Sequence, residues 1–111
     1  MNDVIPNYIE LSTVDLARAR AFYTDALACA FTDYGPDYAA VEGGPTEVGF
    51  RVVAAPTPPM PLFESKALEE TLAHVERAGG RVVSPITPYP GGRRFEFLDP
   101  DGHRIGVYQR A

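Results

Sequence analysis

A chain of 111 residues that is 45% apolar has the length and composition of one globular domain with a modest core, which excludes a disordered segment. Its formal net charge of −5 argues against nucleic acid as a partner, since phosphate contacts need clustered Lys and Arg. No apolar run approaches the roughly 20 residues of a membrane span, no secretory pattern opens the chain, and the single cysteine, Cys29, has no internal disulfide partner. A cytoplasmic protein that binds neither nucleic acid nor membrane is expected.

The first predicted element is a strand over 7–13. Alternation sends Ile9 and Leu11 to one face and Tyr8, Glu10 and Ser12 to the other. Ser12 or Thr13 is expected to cap the helix that follows, with Asp15 in its first turn. Leu16, Ala19, Phe22 or Tyr23, and Ala26 or Leu27 recur at helical spacing and predict one apolar face, with Arg18 and Arg20 largely outside it. Cys29 falls just past the helix, away from either histidine, and reads as an inert, mostly buried thiol. Short strands are predicted near 30–33, 38–41 and 47–53, separated by Gly-Pro and Gly-Gly turns. The run Pro56-Thr57-Pro58-Pro59-Met60-Pro61 then reads as an extended linker.

After the linker the pattern starts again. A short strand, 62–64, carries Pro61 at its start, which predicts a sheet edge. Ser65 is expected to cap a second helix with core positions Leu68, Leu72, Val75 and Ala78, ended by Gly79-Gly80. A strand over 81–84, a proline-rich loop through Gly92, a strand over 94–98, an Asp99-Pro100-Asp101-Gly102 turn and a last strand over 104–108 follow. Aligning Thr13 with Ser65 also matches Leu16 to Leu68 and Tyr23 to Val75, and each half closes on a strand around a glycine, Gly49 and Gly106. A duplicated strand–helix–strands unit predicts two modules, about 5–55 and 60–109, with a ligand cleft between them.

On the last strands Phe95, Phe97, Ile105 and Val107 should pack against the helices. Arg94, Glu96, Arg104, Gly106 and Tyr108 share the opposite face, the counterpart of Tyr8, Glu10 and Ser12 on the first strand. That polar face is the candidate site. The histidines, His74 and His103, are expected to be exposed and to ligate nothing.

Three stretches resemble the vicinal oxygen chelate superfamily, which includes glyoxalase I, bleomycin resistance proteins and extradiol dioxygenases. They are Asp15 to Tyr23, Val75 to Gly80, and Phe97 to Gly106. The resemblance implies an α+β fold in which two βαβββ modules form a curved, roughly eight-stranded mixed sheet around a cavity, helices on the outer face. It also implies a homodimer. The family's metal enzymes take four ligands, His, Glu or Gln, one from each of the first and last strands of the modules. The matching positions here are Tyr8, Gly49, Met60 and Gly106, which is not a set a divalent cation would choose. No metal and no cofactor are therefore expected.

The leading functional expectation is a metal-independent small-molecule binder of the bleomycin resistance type, serving sequestration or resistance. Its ligand would meet Tyr8, Glu10, Ser12, Arg51, Met60, Glu64, Arg94, Glu96, Arg104 and Tyr108. The alternative is a metal-free acid–base enzyme, an isomerase or epimerase, with Glu10 as base and Tyr8 as donor to an oxyanion. Pairing of Glu10 with Arg51, Arg94 or Arg104 would favour an anchoring carboxylate over a base. A metal-dependent lyase or dioxygenase ranks third.

Overall fold

The computed structural model describes residues 4–111. Its elements are β1 (Val4–Thr13), α1 (Leu16–Leu27), β2 (Thr32–Asp33), β3 (Tyr38–Val41), β4 (Glu47–Val52), β5 (Met60–Ser65), α2 (Leu68–Arg77), β6 (Arg81–Tyr89), β7 (Gly92–Leu98) and β8 (Arg104–Arg110). Eight strands in parallel and antiparallel pairs with two helices make the α+β fold that the duplicated pattern predicts. The chain divides into two compact units, one of residues 8–59 and one of residues 60–111 together with those up to Asn7.

In the unit of residues 8–59 the strand order is β2-β3-β4-β1. β1 runs parallel to β4, with Glu10 opposite Gly49 and Ser12 opposite Arg51, and β3 lies antiparallel to β4. The cap of α1 is Asp15, whose carboxylate accepts the Arg18 N–H at 3.1 Å, and not Ser12 or Thr13. Thr13 is two residues too early: its Oγ1 accepts the Asp15 N–H at 3.1 Å and closes the turn that separates strand from helix. At the other end Ala28 takes a left-handed φ of 57° and sends its N–H to the Thr24 carbonyl.

The packing of α1 departs from expectation. Tyr23 meets Phe50 with ring centroids 5.0 Å apart, and Phe31 meets Phe50 at 5.4 Å. Yet no α1 residue is fully buried, and Phe22 and Leu27 are 61% and 67% exposed. Adjacent residues point about 100° apart on a helix, so Phe22 and Tyr23 cannot both face the sheet. The alanines at 19 and 26 are too small to anchor the rest.

The other unit is packed more conventionally. β5 runs parallel to β8, and β8, β7 and β6 follow in antiparallel pairs. Leu68, Phe95 and Val107 form a buried cluster, with Leu72, Val75, Val82, Ile86 and Phe97 packed around it. Ala78, an expected core position, is exposed at the helix end. Ser65 does not cap α2. Its hydroxyl accepts the Ala67 N–H at 3.0 Å and bonds the Thr71 hydroxyl, while the Leu68 N–H is met by the Gln109 side-chain oxygen at 3.2 Å. Gly80 lies so close to Val75 that a Cβ there would come within 2.6 Å of its Cγ1.

Two proline readings are corrected. β6 continues through Pro85 and Pro88 to Tyr89, where a loop was expected, with register shifts on either side of Ser84. Among the described residues it pairs only with β7, so its outer N–H groups owe nothing to a ladder. β5 is no edge: it pairs with β8, and the opening residues of β1 lie on its other side. Pro61 is only its second residue, where one missing donor is tolerated.

A tyrosine–carboxylate cluster as candidate site

The polar face of residues 8–59 is built by three strands. β1 supplies Tyr8 and Glu10, β3 supplies Tyr38, and β4 supplies Gly49 and Arg51. Glu10 is only 4% exposed, an unusual burial for a carboxylate. Its Oε2 accepts the Tyr38 hydroxyl at 3.0 Å, and its Oε1 lies 3.5 Å from Arg51 Nε. The Tyr8 and Tyr38 hydroxyls are 2.8 Å apart. Tyr38 has a single proton and gives it to Glu10, so Tyr8 must be the donor to Tyr38. Three side chains thus form one directed chain, Tyr8 to Tyr38 to Glu10. The phenol proton that a donor to an oxyanion would need is already committed.

Both phenols resist ionisation. Burial pushes Tyr8 up to about 12, helped by the nearby Glu10 charge. Burial raises Tyr38 further still, with Glu10 beside it as the next cause.

The strand pairing explains why the hydroxyls meet where they do. A Cβ on Gly49 would fall 1.8 Å from the Tyr38 oxygen and 2.3 Å from that of Tyr8. The two phenols therefore occupy the space a side chain at 49 would need. A metal site of the kind the resemblance implies wants a donor there, and neither the residue nor the room exists. In the other unit a Cβ on Gly106 would lie 2.8 Å from two Leu62 carbons, and Met60 is buried against the same place. The residues present do not fit such a cation.

The unit of residues 60–111 gathers the remaining predicted residues into two ionic groups. Glu96 is held by Arg94 at 2.8 Å and by Arg104 Nε at 2.7 Å. Burial alone would push the Glu96 carboxyl up, but hydrogen bonds from the two arginines outweigh it and hold the carboxyl below its usual range. Glu64 accepts from Arg110 Nε at 3.0 Å and from the Asn7 amide at 2.9 Å. Tyr108, 5% exposed, donates to Asn7 Oδ1 at 2.7 Å, and the Arg110 guanidinium sits 5.5 Å from its ring. Ser12 is spent differently: its hydroxyl accepts the Thr57 N–H at 2.9 Å and pins the proline-rich linker to β1.

Tyr38, Asn7 and Arg110 were missed from the sequence. Arg110 lies two residues beyond Tyr108 and so on its face, because the last strand runs to 110 and not, as its alternation predicts, to 108. Tyr38 was placed on a strand without a face, because four residues alternate too briefly to assign one. Nothing in the sequence pointed to Asn7.

Among the described residues one group has cation-like spacing, Asp99, Asp101 and His103, with one ligand atom from each lying within 4.8 Å of the others. Its bonds are those of a turn. Asp99 Oδ1 accepts the Asp101 and His103 N–H groups, both at 2.9 Å, and Oδ2 meets His103 Nδ1 at 3.0 Å. The backbone N–H of His103, then its ring, hold Asp99 below the usual carboxylate range, and the bond to Asp99 raises His103.

Two βαβββ-like units with eight strands and two helices define an α+β scaffold. Residues 5–107 match the model of the Glyoxalase/Bleomycin resistance protein/Dioxygenase superfamily, and the chain belongs to that family. It is 30% identical over 117 aligned positions to "Putative glyoxylase CFP32" of Mycobacterium tuberculosis, a match that spans 94% of this chain and 45% of that protein. The chain thus spans about half the length of the curated relatives it matches. Among solved structures it resembles a hypothetical protein from Bacillus halodurans, with TM-score 0.78 and 12% identity over 99% of this chain and 96% of that one. Methylmalonyl-CoA epimerase from Mycobacterium tuberculosis is similar too, with TM-score 0.77 and 15% identity over 96% and 87%. At such identities the likeness is one of fold. Among the described residues no helix is long and apolar enough to cross a membrane.

Proposed function

We propose that this chain binds a small polar molecule without a metal ion, using the face that carries Tyr8, Glu10, Tyr38 and Arg51. The observation that supports this most is the pair of phenol hydroxyls filling the space over Gly49, where a metal-binding relative would carry a ligand. Glu10, buried and fixed by Tyr38 and Arg51, presets the charge and orientation of the groups a ligand would meet, with little ordering cost. Arg51, half exposed, provides the complementary donor.

A second reading rests on the directed chain of hydroxyls. A buried carboxylate at the end of a two-phenol chain could accept a substrate proton and return it, an isomerase- or epimerase-type use of Glu10 with Tyr38 as its positioning partner. The names carried by the mycobacterial relative and by the epimerase of like fold make carbonyl compounds the first substrates to try.

Glu10→Gln separates the two, because it keeps the shape and the acceptor but removes the charge. Lost affinity supports the anchoring carboxylate, whereas lost turnover with affinity intact supports catalysis. Metal content after incubation with nickel, zinc or iron and dialysis tests the common premise. One tightly held ion per chain would sink both readings and revive a metal-dependent lyase or dioxygenase.

A further inference from the structure

A concavity lies in the unit of residues 8–59, between α1 and the β1 residues Leu11 to Thr13, away from Glu10. It has a volume of about 470 Å³, inside the range of roughly 300–1,000 Å³ typical of small-molecule sites. Leu11, Tyr23 and Phe50 form its floor, Phe22 and Arg18 stand on its α1 side, and Thr57 closes it from the linker. Arg18 and Phe22 are four residues apart and so sit on one helical stripe. Tyr23 stands edge-on to Phe22 with ring centroids 5.1 Å apart and tilts against Phe50, giving one continuous aromatic wall. Ser12 holds Thr57 against β1, which fixes the linker side.

Charge decides what this wall would accept. Of the three arginines in this unit, Arg20 pairs with Asp33 and Arg51 with Glu10. The Arg18 side chain has no acidic partner among the described residues, although the chain carries five more acids than bases. An arginine left unpaired in an acidic protein, beside a half-open aromatic pocket, complements an anion with an apolar body. Phe22, 61% exposed beside it, is a ring that an apolar body in the pocket would cover.

We propose that this pocket is a separate binding site for a flat aromatic carboxylate, its ring against Phe22, Tyr23 and Phe50 and its carboxylate on the Arg18 guanidinium. The site is independent of the tyrosine–carboxylate cluster, and its success or failure leaves the function proposed above untouched.

Calorimetric titration with 2-naphthoate and with the neutral 2-naphthamide tests it. The acid should bind about tenfold more tightly than the amide, the order of one charge-assisted hydrogen bond. Arg18→Gln should abolish that preference, Phe22→Ala should weaken both ligands alike, and Arg81→Gln, in the other unit, should change neither. Amide NMR shifts on adding naphthoate should concentrate on 11–23 and on Thr57. The proposal is overturned by an absence of saturable binding, by equal affinity for acid and amide, by an unaltered preference in Arg18→Gln, or by shifts centred on Tyr38. It is equally overturned if Phe22→Ser dissociates a dimer that binds no naphthoate, because a second copy would then be the occupant.

Discussion

The two helices come from the same sequence pattern and are used in opposite ways. α2 drives Leu68, wholly buried, into a cluster with Phe95 and Val107, and its flank is covered by Leu72 and Val75. α1 rests on the sheet through the half-buried Tyr23 and leaves Phe22 and Leu27 in the open. The polar faces differ the other way. The unit holding α1 buries a carboxylate beside two half-buried phenols, whereas the unit holding α2 keeps its charges in arginine-bridged pairs nearer to solvent. Duplication supplied one frame twice, and divergence made one copy the structural anchor and gave the other the more unusual chemistry.

Truncating the two helix environments should break this contrast or sharpen it. Phe95→Ala removes a fully buried ring and should cost about 3–5 kcal/mol in urea unfolding, while Phe22→Ala should stay within about 0.5 kcal/mol. Comparable losses would mean that α1 is buried in solution. Next in size, Gly49→Ala forces a methyl into the space of two hydroxyls and should cost about 1–3 kcal/mol, the usual range for overpacking. A neutral result would show that the phenols move freely.

The tyrosines offer a subtler distinction. Following phenolate absorbance with pH, Tyr8 should ionise near 12, and Tyr8→Phe should remove that late step. The sign follows from the raised value. Stability is fully kept below the unfolded phenol value of about 10 and declines as pH climbs through the folded one. A single phenolate transition near 10 would contradict the buried cluster. The smallest effect belongs to the other face. Glu96→Gln should cost about 1 kcal/mol at neutral pH, since glutamine keeps an acceptor for Arg94 and the other partner, Arg104, is half exposed. Because the folded carboxyl is lowered, that contribution exists above the unfolded value of about 4.3 and fades as pH falls through the folded one. Wild-type and variant unfolding curves should therefore converge in acid.

What was legible in the sequence follows from where alternation is long enough to read. β1 and β8 alternate over many residues, so Tyr8, Glu10, Arg104 and Tyr108 were assigned to the polar face in advance. The core of α2 was legible because its apolar residues are large and evenly spaced. α1 misled because two adjacent aromatics both satisfied the period, and only the sheet decides that Tyr23 faces inward. The partners of Glu10 depended on strand pairing. Arg51 was one of three candidate arginines, and the register that brings it to Glu10 sends Arg94 and Arg104 to Glu96 instead. Tyr38 required knowing which way a four-residue strand turns.

The prolines of β6 have an effect that reaches beyond one molecule. Strands with bare outer margins can recruit like strands from other copies and grow into fibrils. Here the outermost strand of one unit lacks amide hydrogens at 85 and 88, and that of the other, β2, is only two residues long. Neither margin offers an incoming chain an uninterrupted row to zip onto, so growth by strand addition at these two margins is disfavoured.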